Sequence, residues 1–166
     1  MYKTRGQIQI ILVAVIAIFI ICLAVFWPIL FPSHPSPAVE IVDLKIGTGT
    51  NSAEFKTANN TFTDITFRLK HNDGAKHTVT VIFQLSSDAA RHVSIVTGIG
   101  QPLSQTQYGF QYDKVIDATD DYLPQKVQAW AHMQGLKSVS VPITVSLLVD
   151  GQATAGTQSL TLDTST

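Results

Sequence analysis

The sequence has a single cysteine, Cys22, and little charge: 14% of its 166 residues are Asp, Glu, Lys or Arg. A charged fraction well below the usual quarter, beside 45% hydrophobic residues, excludes a disordered acidic or basic tail protein. The basic residues are also not clustered. Eleven Lys and Arg are scattered among twelve Asp and Glu for a net charge of −1, so there is no stripe to bind phosphates and nucleic acid is not expected as a partner. Gly-x-Ser-x-Gly elbows, His-Glu-x-x-His pairs and phosphate-cradling glycine loops are missing as well. A β-rich chain with few charges and no recognisable nucleophile setting reads as non-enzymatic, with no catalytic residue and no small-molecule substrate. Two full-size soluble domains do not fit this length, which suits a membrane tether and one domain.

The tether is a long apolar run. From Ile10 to Trp27 the only polar atom in a side chain other than the Trp27 ring is the thiol of Cys22, and the run resumes after Pro28 as Ile29-Leu30-Phe31. At about 1.5 Å per residue, a helix over residues 8–31 crosses a hydrocarbon core of roughly 30 Å. Small residues such as Ser36 and Ala38 come too far downstream for a cleaved signal peptide, so the helix reads as a retained anchor. Lys3 and Arg5 precede the span and no Lys or Arg follows until Lys45. The positive-inside rule then places residues 1–7 in the cytoplasm and the C-terminal part outside, in a single-pass protein of the cell membrane. With Cys22 in the membrane, the exported part has no thiol and must hold together by its core alone.

Pro28, Pro32, Pro35 and Pro37 follow closely. Each removes a backbone donor and disfavours helix before it, so 32–37 reads as a short stiff stalk. Beyond it the apolar pattern changes to period two. Ile65, Phe67 and Leu69 alternate with polar residues, as do Val79, Val81, Phe83 and Leu85 with Thr80, Ile82 and Gln84. Asn72-Asp73-Gly74 between them predicts a hairpin, and Asp150-Gly151 predicts a clearer one joining 141–149 to 152–162. Further strands are expected at 39–46, 91–97, 108–115 and 125–131. About eight strands with turns between them, and no convincing amphipathic helix, predict an all-β antiparallel sandwich of immunoglobulin or fibronectin-III type over 38–166. The Cys-Trp-Cys spacing of true immunoglobulin domains is missing. Trp130 is either the core tryptophan or a surface residue, since Val127, Ala129 and Ala131 have the opposite parity to it.

Candidate sites are few. His71 and His77 end the first predicted hairpin loop and could face each other to bind a transition metal with Asp73. With nothing else to fix that geometry, they read as solvated strand-end histidines, and neither a metal nor another cofactor is expected. A blue-copper site is excluded because the exported part has no Cys ligand. Asp113, Asp117, Asp120 and Asp121 form either a solvated acidic loop or, less in keeping with their spacing, a calcium site. Asn59-Asn60-Thr61 is an N-glycosylation sequon, which puts Asn59 on a surface loop in a host that glycosylates exported proteins. Tyr108, Phe110 and Tyr112 share one parity beside the acidic loop: an exposed contact patch for a partner, or core.

Lys3-Thr4-Arg5-Gly6 followed by Gln7 and a long apolar helix resembles the class III signal of archaeal type IV pilin-like proteins, which is cut between Gly6 and Gln7. With a β-sandwich behind that helix, the chain is similar to the archaellum accessory proteins F and G. The resemblance implies an immunoglobulin-like domain working between membrane and surface layer in the stator of the filament. It differs from filament-forming pilins, whose helix often carries Glu at the fifth position after the cut, here Ile11. The expected function is a membrane-anchored surface protein whose sandwich binds an envelope or surface-layer protein, or a second copy of itself, through strand edges or an exposed face. The strand expected at 152–162 is a candidate edge, although its composition equally suits any solvent-facing strand. The alternatives are a pilin-like filament subunit, an accessory subunit of a membrane enzyme complex, and a small metal-dependent enzyme.

Overall fold

The computed structural model describes Cys22 and residues 36–58, 60–107, 109–132 and 139–165. The chain divides into two compact units, Met1–Ser36 and Pro37–Thr166. Among the described residues no helix is long and apolar enough to cross a membrane. Apart from Cys22, the span expected at 8–31 lies outside them, as do Gly6, Gln7, most of the stalk, Asn59 and Tyr108.

The second unit is all-β. Its described strands are β1 (Val39–Ile46), β2 (Glu54–Ala58), β3 (Thr61–His71), β4 (His77–Gln84), β5 (Val93–Thr97), β6 (Ser104–Thr106), β7 (Gly109–Ile116), β8 (Tyr122–Ala131), β9 (Val139–Val149), β10 (Gln152–Ala153) and β11 (Gln158–Ser165). One sheet runs β1-β3-β8-β5; the other runs β2-β11-β9-β4-β7-β6, with β10 beside β9. Strand alternation decides what lies between them. Ile65, Phe67 and Leu69 of β3 and Val127, Ala129 and Ala131 of β8 turn inward from the first sheet. Val79, Val81 and Phe83 of β4 and Val141, Ile143 and Val145 of β9 meet them from the second, all in one buried cluster. Phe67 and Phe83 touch across this core with ring centroids 6.0 Å apart.

Two expectations about connectivity are corrected here. The segments on either side of Asn72-Asp73-Gly74 are not a hairpin: β3 pairs with β1 and β8, while β4 pairs with β7 and β9 in the other sheet. The loop therefore crosses from one sheet to the other, which sets the apolar faces of β3 and β4 against each other across the core instead of side by side in one sheet. The stretch 152–162 is not one edge strand either. Only Gln152 and Ala153 continue the Asp150-Gly151 turn, and β11 then runs between β9 and a parallel partner, β2. The turn itself forms as expected, with φ of 49° at Asp150 and 78° at Gly151, the two successive positive values of a tight two-residue hairpin.

Pro124 and Pro142 lie inside β8 and β9, both interior strands. Among the described residues, each sits where its strand has a neighbour on one side only: β5 pairs with β8 from Val127 onward, and β4 pairs with β9 from Thr144 onward. A missing N–H is tolerated on such a half-open stretch.

Candidate functional site

β3 carries a different chemistry at each end. At its C-terminal end the inter-sheet crossing brings four side chains together. His71 closes β3 and His77 opens β4, and their rings stand edge to face with centroids 5.7 Å apart. Both Nε2 atoms aim at one carboxylate oxygen, Asp73 Oδ1, at 3.0 Å each, and His77 Nε2 is also 3.1 Å from Oδ2. The Ala75 N–H donates to the same Oδ1 at 3.0 Å, which fixes the loop. On the far side of the His77 ring, Nδ1 is 2.7 Å from Asp150 Oδ2. Asp150 is itself held by β4: the Thr78 N–H donates to its Oδ1 at 2.8 Å, and its own N–H donates to Thr78 O.

The electrostatics follow from these contacts. Hydrogen bonds first to Asp150 and then to Asp73 push the His77 pKa up, because both stabilise the imidazolium. The Ala75 amide and then His77 pull Asp73 down, and His77 and then the Thr78 amide pull Asp150 down. The His71 side chain is only 2% exposed and that of His77 11%, so the reading of these residues as solvated is corrected: strand pairing buries the rings and leaves the carboxylates outside. Asn72, between His71 and Asp73, holds the chain entering β1. Its N–H donates to Ala38 O at 2.8 Å and its Nδ2 to Pro37 O at 2.9 Å.

The outward face of β3 and its neighbours is a polar ladder that ends in aromatic rings. Lys70 pairs with Glu40 at 2.5 Å, and Arg68 pairs with Asp43 while lying over the Tyr122 ring, 5.5 Å from its centroid. Asp43, at a positive φ of 53° in the irregular part of β1, is turned toward that arginine. Asp64 accepts from Lys126 Nζ and Gln128 Nε2, both at 2.8 Å. At the far end Phe62, 48% exposed, stacks on Trp130 with centroids 5.6 Å apart, and Trp130 in turn lies 4.9 Å from the His132 ring. Trp130 Nε1 donates to Asn60 Oδ1 at 3.3 Å, which fixes the indole. Trp130 is thus on the outer face, the alternative that its parity allowed, and not at the centre of the core.

The Lys126 and Gln128 hydrogen bonds hold the Asp64 carboxyl below its ordinary value of 3.8. Its contribution to stability is therefore fully present above pH 3.8 and lost as pH falls through the lower folded value. Asp64→Asn is expected to cost less than about 1 kcal/mol at neutral pH, since the pair is half exposed. The difference from the parent should shrink as pH falls below 3.8 in urea unfolding; a penalty that does not change with pH would assign it to packing instead.

The aromatic segment after β6 behaves differently from the contact patch considered above. Phe110 is 5% exposed and belongs to the core. Tyr112 packs edge-on against Phe67, 6.2 Å between centroids, and its hydroxyl donates to Gln125 Oε1 at 2.5 Å across the two sheets. Tyr108 lies outside the described residues. The acidic residues nearby do not converge: Asp113 accepts from Thr80, Asp117 pairs with Lys76 at 2.9 Å, and Asp120 accepts from the Asp117 N–H.

No protein-family model matches the chain, and no curated protein matches it. Among solved structures it is similar to alkylpurine DNA glycosylase AlkC of Pseudomonas fluorescens bound to abasic-site DNA (15% identity, TM-score 0.37), covering 75% of this chain and 30% of that one. It is also similar to a family 123 glycoside hydrolase from Clostridium perfringens (6%, TM-score 0.43; 77% and 27%). A third is AggA, the major subunit of aggregative adherence fimbriae type I from Escherichia coli (7%, TM-score 0.40; 80% and 98%). The chain spans less than a third of the length of the first two. Likenesses at this level carry no argument about activity or partners.

Proposed function

We propose that this protein is a non-enzymatic, membrane-anchored surface protein whose exported sandwich binds another envelope protein. The observation that carries the reading is the Phe62–Trp130 stack. A half-exposed phenylalanine on an indole fixed by Asn60, at the end of an otherwise charged and paired sheet face, has the composition of a binding hot spot with a polar surround. The apolar run at 8–31 with Lys3 and Arg5 before it supports the anchor and the outward orientation.

Strand order supports an immunoglobulin-type reading of the sandwich. The sheet β1-β3-β8-β5 takes the places of the A, B, E and D strands, and β11-β9-β4 those of G, F and C. One departure stands out: β5, in the D place, precedes β7, which pairs beside β4. Apart from that departure, the shared strand order together with Lys3 to Gln7 supports an archaellum-stator or surface-layer-binding role as the finer reading.

The test is affinity purification of the full chain from native membranes, with Phe62→Ala and Trp130→Ala beside the parent. Melting within a few degrees of the parent together with loss of the co-purifying envelope protein is expected. Undiminished recovery of that protein by both folded variants would refute the aromatic end as its binding site. Protease added to intact spheroplasts should remove the domain, and its protection while an external control is digested would overturn the orientation.

A further inference from the structure

We propose that His71, Asp73 and His77 form a binding site for a divalent transition metal of the zinc class, with Asp150 orienting His77. The ligand atoms of these three residues all lie within 4.8 Å of one another. Four-coordinate zinc takes imidazole nitrogen and carboxylate oxygen at about 2.0–2.2 Å, so neighbouring ligand atoms stand about 3.3–3.5 Å apart around it. The Nε2-to-carboxylate separations of 3.0–3.1 Å are within a small side-chain shift of that figure.

Two features favour a cation here over a purely hydrogen-bonded cluster. First, Asp73 Oδ1 faces three nitrogens at once, His71 Nε2, His77 Nε2 and the Ala75 amide, each at 3.0 Å. His77 Nε2 is shared between Oδ1 and Oδ2, at 3.0 and 3.1 Å, so both imidazoles and the amide crowd one edge of a single carboxylate. An ion between the two Nε2 atoms and the carboxylate takes both imidazoles as ligands and leaves the amide as the hydrogen-bond donor. Second, Asp150 on His77 Nδ1 is the partner that metal-bound histidines commonly have: a carboxylate on the other ring nitrogen sets the tautomer, exposes the Nε2 lone pair and fixes the plane of the ring. Three protein ligands leave a fourth position to water or to a donor from outside.

The position gives the ion a structural task. His71 belongs to one sheet and His77 to the other, so the metal ties the two sheets together where the chain enters the domain. A domain without disulfides gains a cross-link that can be withdrawn by chelation.

The full chain, without a polyhistidine tag, purified in detergent and stripped with chelator, tests this with Zn2+ and Co2+ as probes. Equilibrium dialysis is expected to find one ion per chain. Co2+ should give the intense visible bands of a four-coordinate site, and Zn2+ should raise the melting temperature. Asp73→Asn and His77→Gln should each weaken binding at least about 100-fold, and Asp150→Asn about 10–100-fold with the same ion count at saturation. His71 is the most buried ligand; if its variant does not fold, the Asp73 and His77 variants, checked by circular dichroism, decide the matter. Absence of stoichiometric binding by the parent, or binding unchanged in folded His77→Gln, would overturn the site.

Discussion

Phe67→Ala and Phe83→Ala are each expected to cost the domain roughly 3–5 kcal/mol, a large part of the 5–15 kcal/mol that a domain of this kind has in all. The two rings are 2% and 0% exposed and come from opposite sheets, so each truncation opens a cavity on the plane where the sheets meet. Tyr112 leans on the same Phe67 ring, and its hydroxyl bond to Gln125 spans that plane, so collapse around the hole cannot proceed freely. Urea unfolding of the full chain, followed by tryptophan fluorescence, measures the loss. The double variant should fall short of additivity by about 0.5–1.5 kcal/mol, the worth of the ring-to-ring contact beyond its area. Single losses under about 1.5 kcal/mol would mean that the sheets do not close over these rings.

Gly109→Ala is the second severe change. Gly109 opens β7 with φ at 118°, and a Cβ there would lie 2.5 Å from Phe83 O and 3.0 Å from Gln84 Cα. Those are backbone atoms of the neighbouring strand and cannot swing aside. The unfavourable φ and the forced separation of β7 from β4 together are expected to cost about 2–4 kcal/mol. Gly151→Ala is the control: φ is 78° there, but the added Cβ meets nothing within 4 Å, so only the conformational cost of about 1–2 kcal/mol remains. Equal losses in the two variants would show that the close approach of the strands contributes nothing.

The parts of the fold that can be read from sequence are those where one residue's environment depends on its near neighbours. β1 is legible to the residue because proline and glycine bracket a stretch at 39–46 in which Val and Ile outnumber the charged residues. The apolar alternation of β3 and β4 is legible because each faces one core, and the 150–151 turn because two successive positive φ values call for Asp-Gly. Pairing partners are another matter. Asn72-Asp73-Gly74 signals a reversal but not whether the chain returns in the same sheet or crosses to the other. β2 buries only Thr57 fully and β6 is exposed throughout, so neither leaves an apolar pattern; both are strands because a neighbour's backbone offers hydrogen bonds.

The site shows the same division. The spacing of His71, Asp73 and His77 is visible along the chain, and the two rings do meet, though across a sheet-to-sheet crossing. Asp150 is 73 residues from His77 and reaches it only through the pairing of β4 with β9, so no local signal could have supplied it. The outward position of Trp130 was present in its parity. For Phe110 and Tyr112 parity gave a shared face but not which face, since that depends on how β7 lies against β4.

The register of β1 on β3 has a mechanical consequence. Val39, where the chain enters the sandwich, stands opposite His71, while Phe62 is nine residues back along β3, roughly 30 Å away. A pull entering at Val39 and resisted at Phe62 therefore runs lengthwise along the strands. The β1–β3 ladder is then loaded in shear, with its hydrogen bonds sharing the force, instead of being peeled open one bond at a time. The Asp43–Arg68 and Glu40–Lys70 pairs lie across that sliding plane and would act as catches, so the domain is built to hold under tension applied along this axis and to yield under tension applied across it.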